Sequence, residues 1–473
     1  MIMPKFPLLS TVASVGLACF AGLVGAGCKG AAATRAEPSA SAPVQSASTA
    51  PAPSASGSPS ASETDAALSA APSAPAAGDS TAAARRGSDA FAVRVLRGMP
   101  PSSNLFFSPE SIRIALAMAY AGARGETAKE MAQVLGESGP PGALHASIAS
   151  ELAAFAAQES PRAPAGSDSW VVDAYARRAQ TLRVVSRLWG QQGKVFVPEF
   201  LSVLDRSYAA PLEQLDFAGD LEGSRGAINR WVDGKTEHKI PELIARGALS
   251  GASRLVLTNA VYFKAAWSAP FVAGNTTDAP FAVTPTRSVT TKMMRQVGHF
   301  KYARVDQADV IELPYASGTT SMLVVVPIAS SGLAAIEAKI DDRSLGRWAG
   351  AVSHKKVDFS LPRFKMSSGF SLRDQLVALG MKSAFEFPKA DFSGMDGTRE
   401  LFISDVIHKA FIATDEAGTE AAAATAVLMA AGAAPMREDP VVVRADHPFL
   451  IVIREISTGA PLFVGRVADP TPR

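Results

Sequence analysis

"GTEAAAATAVLMAAGAAP", residues 418 to 435, opens on Gly-Thr-Glu and then runs through small side chains close to the C-terminus of a chain otherwise rich in Val, Leu and Phe. Three readings compete. Ala is the best helix former, but Gly418 and Gly432 bracket the run and the β-branched Thr419, Thr425 and Val427 dilute it. A flexible linker needs a second domain to link, and the rest of the chain reads as one body. The third reading is a strand in waiting. At a period of two, Thr419, Ala421, Ala423, Thr425 and Val427 point one way, all small enough to slide beneath an existing sheet without clash.

The flanking sequence supplies that sheet. "RLVLTNAVYF" (254–263), "SMLVVVP" (321–327), "KVDFSLPRF" (356–364) and "KAFIATDEAG" (409–418) are β-branched or aromatic runs closed by Pro or Gly, and read as strands. "PVVVRADHPFLIVIREISTGAPLFVGRVADP" gives three more, with "STGAP" (457–461) as a hairpin turn. Earlier, "SPESIRIALAMAYAGARGETAKEMAQVLG" (108–136) starts Ser-Pro with Glu110 in its first turn, and Gly122 and Gly125 divide it into two short helices. Helices cluster early and strands late, so the class is α+β with largely antiparallel sheets.

Composition narrows the function. Of 473 residues 47% are hydrophobic, enough for a large core, and 46 Lys and Arg against 44 Asp and Glu leave a charge of +2. The basic residues are interspersed with acids, so no clustered face for a nucleic acid exists and none is expected as a partner. Residues 1–28 carry one early charge, Lys5, an apolar stretch and small residues before Cys28, and read as an export signal. Gly25-Ala26-Gly27-Cys28 resembles a bacterial lipobox, although Gly25 stands where Leu is usual; an ordinary signal cut at a small residue is the alternative. Cys19 would leave with the signal, so the exported chain would hold no internal disulfide. Residues 29–82 are almost wholly Ala, Ser and Pro, with too few large apolar groups to offset chain entropy, and read as a disordered tether to a single domain at 83–473. The expected location is a bacterial membrane, with the domain held by an acylated Cys28 in the periplasm or at the cell surface.

Catalytic signatures are nearly absent. There is no Gly-x-Ser-x-Gly elbow, no His-Glu-x-x-His and no Cys pair at metal spacing, and six His are scattered singly. "DGKT" (233–236) lacks the earlier glycine of a phosphate loop, Asn229 standing in its place, and "SHKK" (353–356) has no Lys-Thr-Gly partner. The chain is not expected to be an enzyme or to bind a metal or cofactor.

Taken together, the residues resemble the serpin family. "EAGTEAAAATA" (416–426) is similar to the reactive-loop hinge of inhibitory serpins: Glu416, Gly418, Thr419, Glu420, Ala421, Ala422, Ala423, Ala424 and Thr425. "VRADHPFLIVI" (443–453) matches the C-terminal signature at Asp446, Pro448 and Phe449, and "NLFFSPESIRIALAMAYAGARGETAKEMAQVLG" (104–136), "LVLTNAVYFKAAW" (255–267) and "SDVIHKAFIATDEAGTE" (404–420) are further family blocks in the family's order. The resemblance runs from about residue 85 to the end. It implies three β-sheets, about nine helices and an exposed reactive loop, in a monomer that inhibits serine proteases as a suicide substrate. Cleavage leaves an acyl-enzyme, the loop inserts as a new strand, and the protease is trapped in a covalent complex, a recognised release of stored strain.

By the same resemblance Ser108, Ser111, Asn259 and His408 form the shutter beneath the strands that part, although a satisfied core network would look alike. Trp267 and Glu416 fall at the breach, where the loop enters, with Arg295 as the basic partner of Glu416. Family spacing from the hinge puts the scissile bond between Gly432 and Ala433; Ala431 is an alternative, and counting back from Pro448 shifts the bond to Ala434 or Arg437. Around Gly432 no basic or aromatic residue occurs, which favours elastase-like or subtilisin-like targets. The alternatives are a trypsin-like target cut after Arg437, or a non-inhibitory serpin acting as a binding module.

Overall fold

The computed structural model describes residues 77–420 and 439–471, apart from 102, 138 and 160. Its first helix, α1 (Ala77–Gly98), begins inside the stretch read as tether. The Ala-rich lead-in is a good helix former once the apolar face ending in Val95 and Leu96 has a core to pack against. After β1 (Leu105–Phe107), the Ser-Pro start behaves as expected: Ser108 caps α2 (Pro109–Tyr120), its Oγ accepting from Ser111 N–H, and α3 (Gly125–Leu135) follows. Gly136, at φ 73°, closes α3 in the left-handed region.

The chain continues through α4 (Pro141–Gln158), α5 (Ser169–Arg177), β2 (Gln180–Gln191), α6 (Pro198–Tyr208), β3 (Glu213–Leu215), α7 (Leu221–Lys235) and β4 (Leu255–Ala266). Next come β5 (Thr277–Thr284), β6 (Arg287–Val305), β7 (Ala308–Pro314), β8 (Thr320–Pro327), α8 (Leu333–Lys339), α9 (Ser344–Ala351), β9 (Ser353–Pro362) and β10 (Phe364–Ser371). The last elements are α10 (Arg373–Ala378), α11 (Ser393–Asp396), β11 (Ile403–Thr414), β12 (Gly418–Thr419), β13 (Val441–Arg444), β14 (Phe449–Glu455) and β15 (Pro461–Val467).

The class is α+β, with eleven α-helices among the described residues where about nine were expected. The strands form two hydrogen-bonded networks, because the 19-residue β6 pairs with β5 and β9 along one part and with β7 along another, joining two of the three expected sheets. Pairing is mostly antiparallel, but β11 runs parallel to β4, β13 to β9 and β3 to β2. The parallel β4–β11 pair is the centre of the six-stranded network. β4 is buried on both faces: Leu255 and Leu257 pack in the core that holds α2, while Val256, Ala260 and Tyr262 meet Ile228 and Val232 of α7.

Candidate functional site

The site is built along the seam between β4 and β11. Over its lower part the two strands pair directly, from Ile403↔Leu255 to Phe411↔Tyr262, with His408 opposite Asn259. Both side chains are fully buried. Asn259 Nδ2 donates to Ser111 O (3.0 Å) and Ser186 Oγ (2.7 Å), while its Oδ1 accepts from Ser111 Oγ (2.8 Å) and faces His408 Nδ1 at 2.5 Å. His408 Nε2 accepts from Ser108 N–H at 3.3 Å, which leaves Nδ1 as the protonated nitrogen that donates to Asn259. Every donor and acceptor of the Asn259 amide is thereby used. Burial pushes the His408 imidazole down to about 3, so it is neutral here. The four residues Ser108, Ser111, Asn259 and His408 thus lie together, and Ser186 of β2 joins them.

Above this network the seam is opened by the chain itself. Asp415 N–H donates to Gly418 O, and the Asp415 carboxylate accepts from Ala417 and Gly418 N–H, which turns the chain back on β11. β12 then lies between the two strands, Gly418 opposite Ala266, and Thr419 opposite both Ala265 and Thr414. A Cβ on Gly418 would sit 2.2 Å from Ala265 O and 2.7 Å from Ala266 Cα, so only glycine fits this close approach. Thr419 is 0% exposed, its hydroxyl 2.8 Å from that of Tyr315. Glu420, at φ 50°, ends the wedge; its N–H donates to Ala413 O and its carboxylate pairs with Lys239. The segment expected to be exposed before insertion therefore has its first two residues already between the strands, Thr419 pointing inward.

Trp267 roofs the wedge. Its ring stacks on Tyr315 at 4.6 Å between centroids and 13° between planes, its Nε1–H donates to Asp415 O (3.0 Å) and its backbone N–H to Ala417 O (2.9 Å). Glu416 sits beside it, with Phe271 N–H donating to its carbonyl.

The expected partner of Glu416 is corrected. Arg295 alternates outward on β6, its side chain 59% exposed, opposite Ser360, and forks onto Asp358 of β9 at 2.8 and 2.6 Å. Glu416 is instead held by Arg363, the residue between β9 and β10, at 3.0 and 2.6 Å, and by Thr276 Oγ1. Burial alone would raise the Glu416 carboxyl, but the hydrogen bonds from Arg363 and Thr276 outweigh it and hold the group below its ordinary value.

Near the C-terminus Phe449 is buried edge-on to Phe281 and Phe364, and Asp446 O accepts from Ala282 N–H, while Pro448 directly precedes β14. The neighbouring His447, which sequence reading passed over, bridges Asp446 Oδ1 and Pro327 O at 2.8 Å each. Burial lowers its pKa, but the bonds to Asp446 and Pro327 overcome this and raise it. Tyr315, Thr276, Lys239 and Arg363 were also missed. A Tyr after a strand-ending Pro, or an Arg after "SLP", carries no local signal of what it will face. Ala421, Ala422, Ala423, Ala424, Thr425, Ala431, Gly432, Ala433, Ala434, Arg437 and Cys28 lie outside the described residues.

Comparisons agree with this geometry. A family model described as Serpin (serine protease inhibitor) matches residues 86–470. The human leukocyte elastase inhibitor is 38% identical over 379 residues, covering 78% of this chain and 94% of that protein. An uncharacterized serpin-like protein of Thermococcus kodakarensis is 37% identical over 369 residues, covering 78% and 81%. Among solved structures, uncleaved ovalbumin superposes with a TM-score of 0.68 at 30% identity, covering 82% of this chain and 99% of that one.

Proposed function

Since the chain belongs to the serpin family, we propose that it traps serine proteases of the elastase or subtilisin type by cleavage between Gly432 and Ala433, followed by insertion of the hinge between β4 and β11. The carrying observation is β12: Gly418 and Thr419 occupy the seam the rest of the loop would follow, and the residues after Glu420 up to Thr425 are small and uncharged. Each strand hydrogen bond gained contributes roughly 0.5 to 1.5 kcal/mol net, so about ten inserted residues bonded on both sides supply on the order of 10 kcal/mol to drive the capture. In this reading the Ser108, Ser111, Asn259 and His408 network is the latch that must part, and Trp267 with Glu416 and Arg363 marks the point of entry. The relative named as an elastase inhibitor supports the choice of target. So does the loop itself, which offers a trypsin-type carboxylate pocket nothing to pair with near Gly432.

Mixing the protein with elastase, subtilisin and trypsin tests this. An SDS-stable complex with the first two is expected, with a released fragment beginning at Ala433 by mass spectrometry. A stable complex with trypsin alone and a fragment beginning at Glu438 would move the bond to Arg437, and cleavage by all three without any complex would favour a non-inhibitory binding module.

We further propose that the protein is a bacterial lipoprotein, exported by residues 1–28 and anchored through acylated Cys28. The support is the small-residue run before Cys28 and the Ala/Ser/Pro composition that follows; were that segment the proposed tether of about fifty residues, its r.m.s. span would be ~40 Å, enough to clear a lipid surface. Wild type should fractionate with membranes and Cys28→Ala should not; equal membrane recovery of both would refute the anchor.

A further inference from the structure

Beside Trp267 lies a cavity of about 240 Å³. At roughly 30 Å³ per water it has room for about eight waters, the space of a small aromatic molecule. Its walls include the rings of Trp267, Phe271 and Phe300, together with Leu313, Gln296 and Glu312. The three rings make it apolar. Gln296 Oε1 is buried there and finds no hydrogen-bond donor among the described residues, an arrangement that costs desolvation without return unless something else supplies the proton. Two wall residues are charged, and they face each other: Glu312 Oε1 accepts from Ser321 Oγ and Arg454 at 2.7 Å each, while its Oε2, without a hydrogen-bond donor among the described residues, lies 3.2 Å from Lys301 Nζ. The single negative and single positive charge of these two walls thus balance each other, which leaves no net charge to favour an ionic occupant.

We propose that this cavity binds a small neutral aromatic compound bearing one hydroxyl, with its ring against Trp267, Phe271 and Phe300 and its O–H donated to Gln296 Oε1. Two of the walls are wired to the hinge. Trp267 donates to the carbonyls of Asp415 and Ala417, and Phe271 to that of Glu416, so an occupant touches the residues that hold the loop's point of entry. A ligand here therefore modulates how readily the wedge extends. That second statement rests on the inhibitory reading; binding itself does not.

The probes are p-cresol and p-xylene, equal in shape but differing in the hydroxyl, titrated against the full chain by ligand-observed NMR. Saturable binding of p-cresol at least tenfold tighter than p-xylene is expected. Gln296→Leu should erase that difference. Gly298→Leu, whose added Cβ meets only Phe300 ring atoms at 3.5 and 3.9 Å, should fill the cavity and abolish binding of both. Thermal unfolding of each variant reports whether the fold is kept. Equal binding of the two probes, no binding of either, or undiminished binding to a folded Gly298→Leu protein would overturn the site. Saturating p-cresol should also change the fraction of elastase captured as covalent complex at least twofold in wild type and not in Gln296→Leu. Binding without that change overturns the coupling alone, whereas absence of any complex with or without p-cresol counts against the inhibitory reading and leaves the binding result standing.

Discussion

The two halves of one seam behave differently. Below Tyr262, β4 and β11 are hydrogen-bonded to each other in parallel and pinned from beneath by a buried amide with all its bonds made. Above it, the same strands are separated by Gly418 and Thr419, each edge bonded to the intruder instead. On the proposed mechanism, the difference would put the resistance to insertion in the lower half. The bonds of β12 already offset the opening of the upper half, so the remaining barrier would lie where β4–β11 pairing must be exchanged and the Asn259–His408 network broken.

The largest expected effect comes from closing the upper half. Thr419 is fully buried against Tyr315, and Arg in its place would bring an unpartnered charge into the seam at a cost of several kcal/mol. Thr419→Arg should expel the wedge and turn inhibitor into substrate: elastase would cut the loop, but the SDS-stable complex would be lost. A wild-type yield of complex would show that the upper half is not where insertion begins.

The lower half should respond to acid. His408 titrates at about 3 in the folded protein and near 6.5 when unfolded, so between those values the unfolded chain binds a proton the folded one excludes. Its contribution is therefore fully present above pH ~6.5 and is lost as pH falls toward 3, by up to ~1.4 kcal/mol per unit. Lowering pH from 7 to 5 should cost wild type about 2 kcal/mol more than His408→Gln in urea unfolding. Equal losses would mean that the imidazole is not held neutral by the seam.

What was legible in the sequence follows the same division. The lower network could be assigned because Ser108, Asn259 and His408 each sit inside a family block, and a polar residue in an otherwise apolar strand is conspicuous. Thr419 was read as inward-facing from period-two alternation, and the structure buries it. That the wedge had already entered was not legible, since alternation gives the face of a residue and not whether the sheet has opened for it. The start of β11 at Ile403 was missed because Ser404, Asp405 and His408 interrupt its apolar pattern, and the start of α1 because Ala-rich sequence reads as low complexity until a core exists to fold it. Arg295 failed for another reason: which cation reaches Glu416 depends on β6–β9 register and on the chain's path after Pro362, and neither is local.

That correction yields the smallest and sharpest comparison. Arg295 spans both oxygens of Asp358, Arg363 gives two N–H groups to Glu416 Oε1, and their side chains are 59% and 45% exposed, so solvent screens each pair to a value of ~0 to 1 kcal/mol. Their stability effects should be nearly alike. Their functional effects should not be, because Arg363 holds the residue whose carbonyl Phe271 grips at the mouth of the wedge, while Arg295 spends both of its bonds on Asp358 of β9. Arg363→Ala should raise the cleaved-to-complexed ratio with elastase by a fewfold, and Arg295→Ala should leave it unchanged with unfolding within about 0.5 kcal/mol of wild type. If Arg295→Ala alone shifted the ratio, Glu416 would find its partner on β6 once the loop moves, and the pairing with Arg363 would belong only to the state before capture.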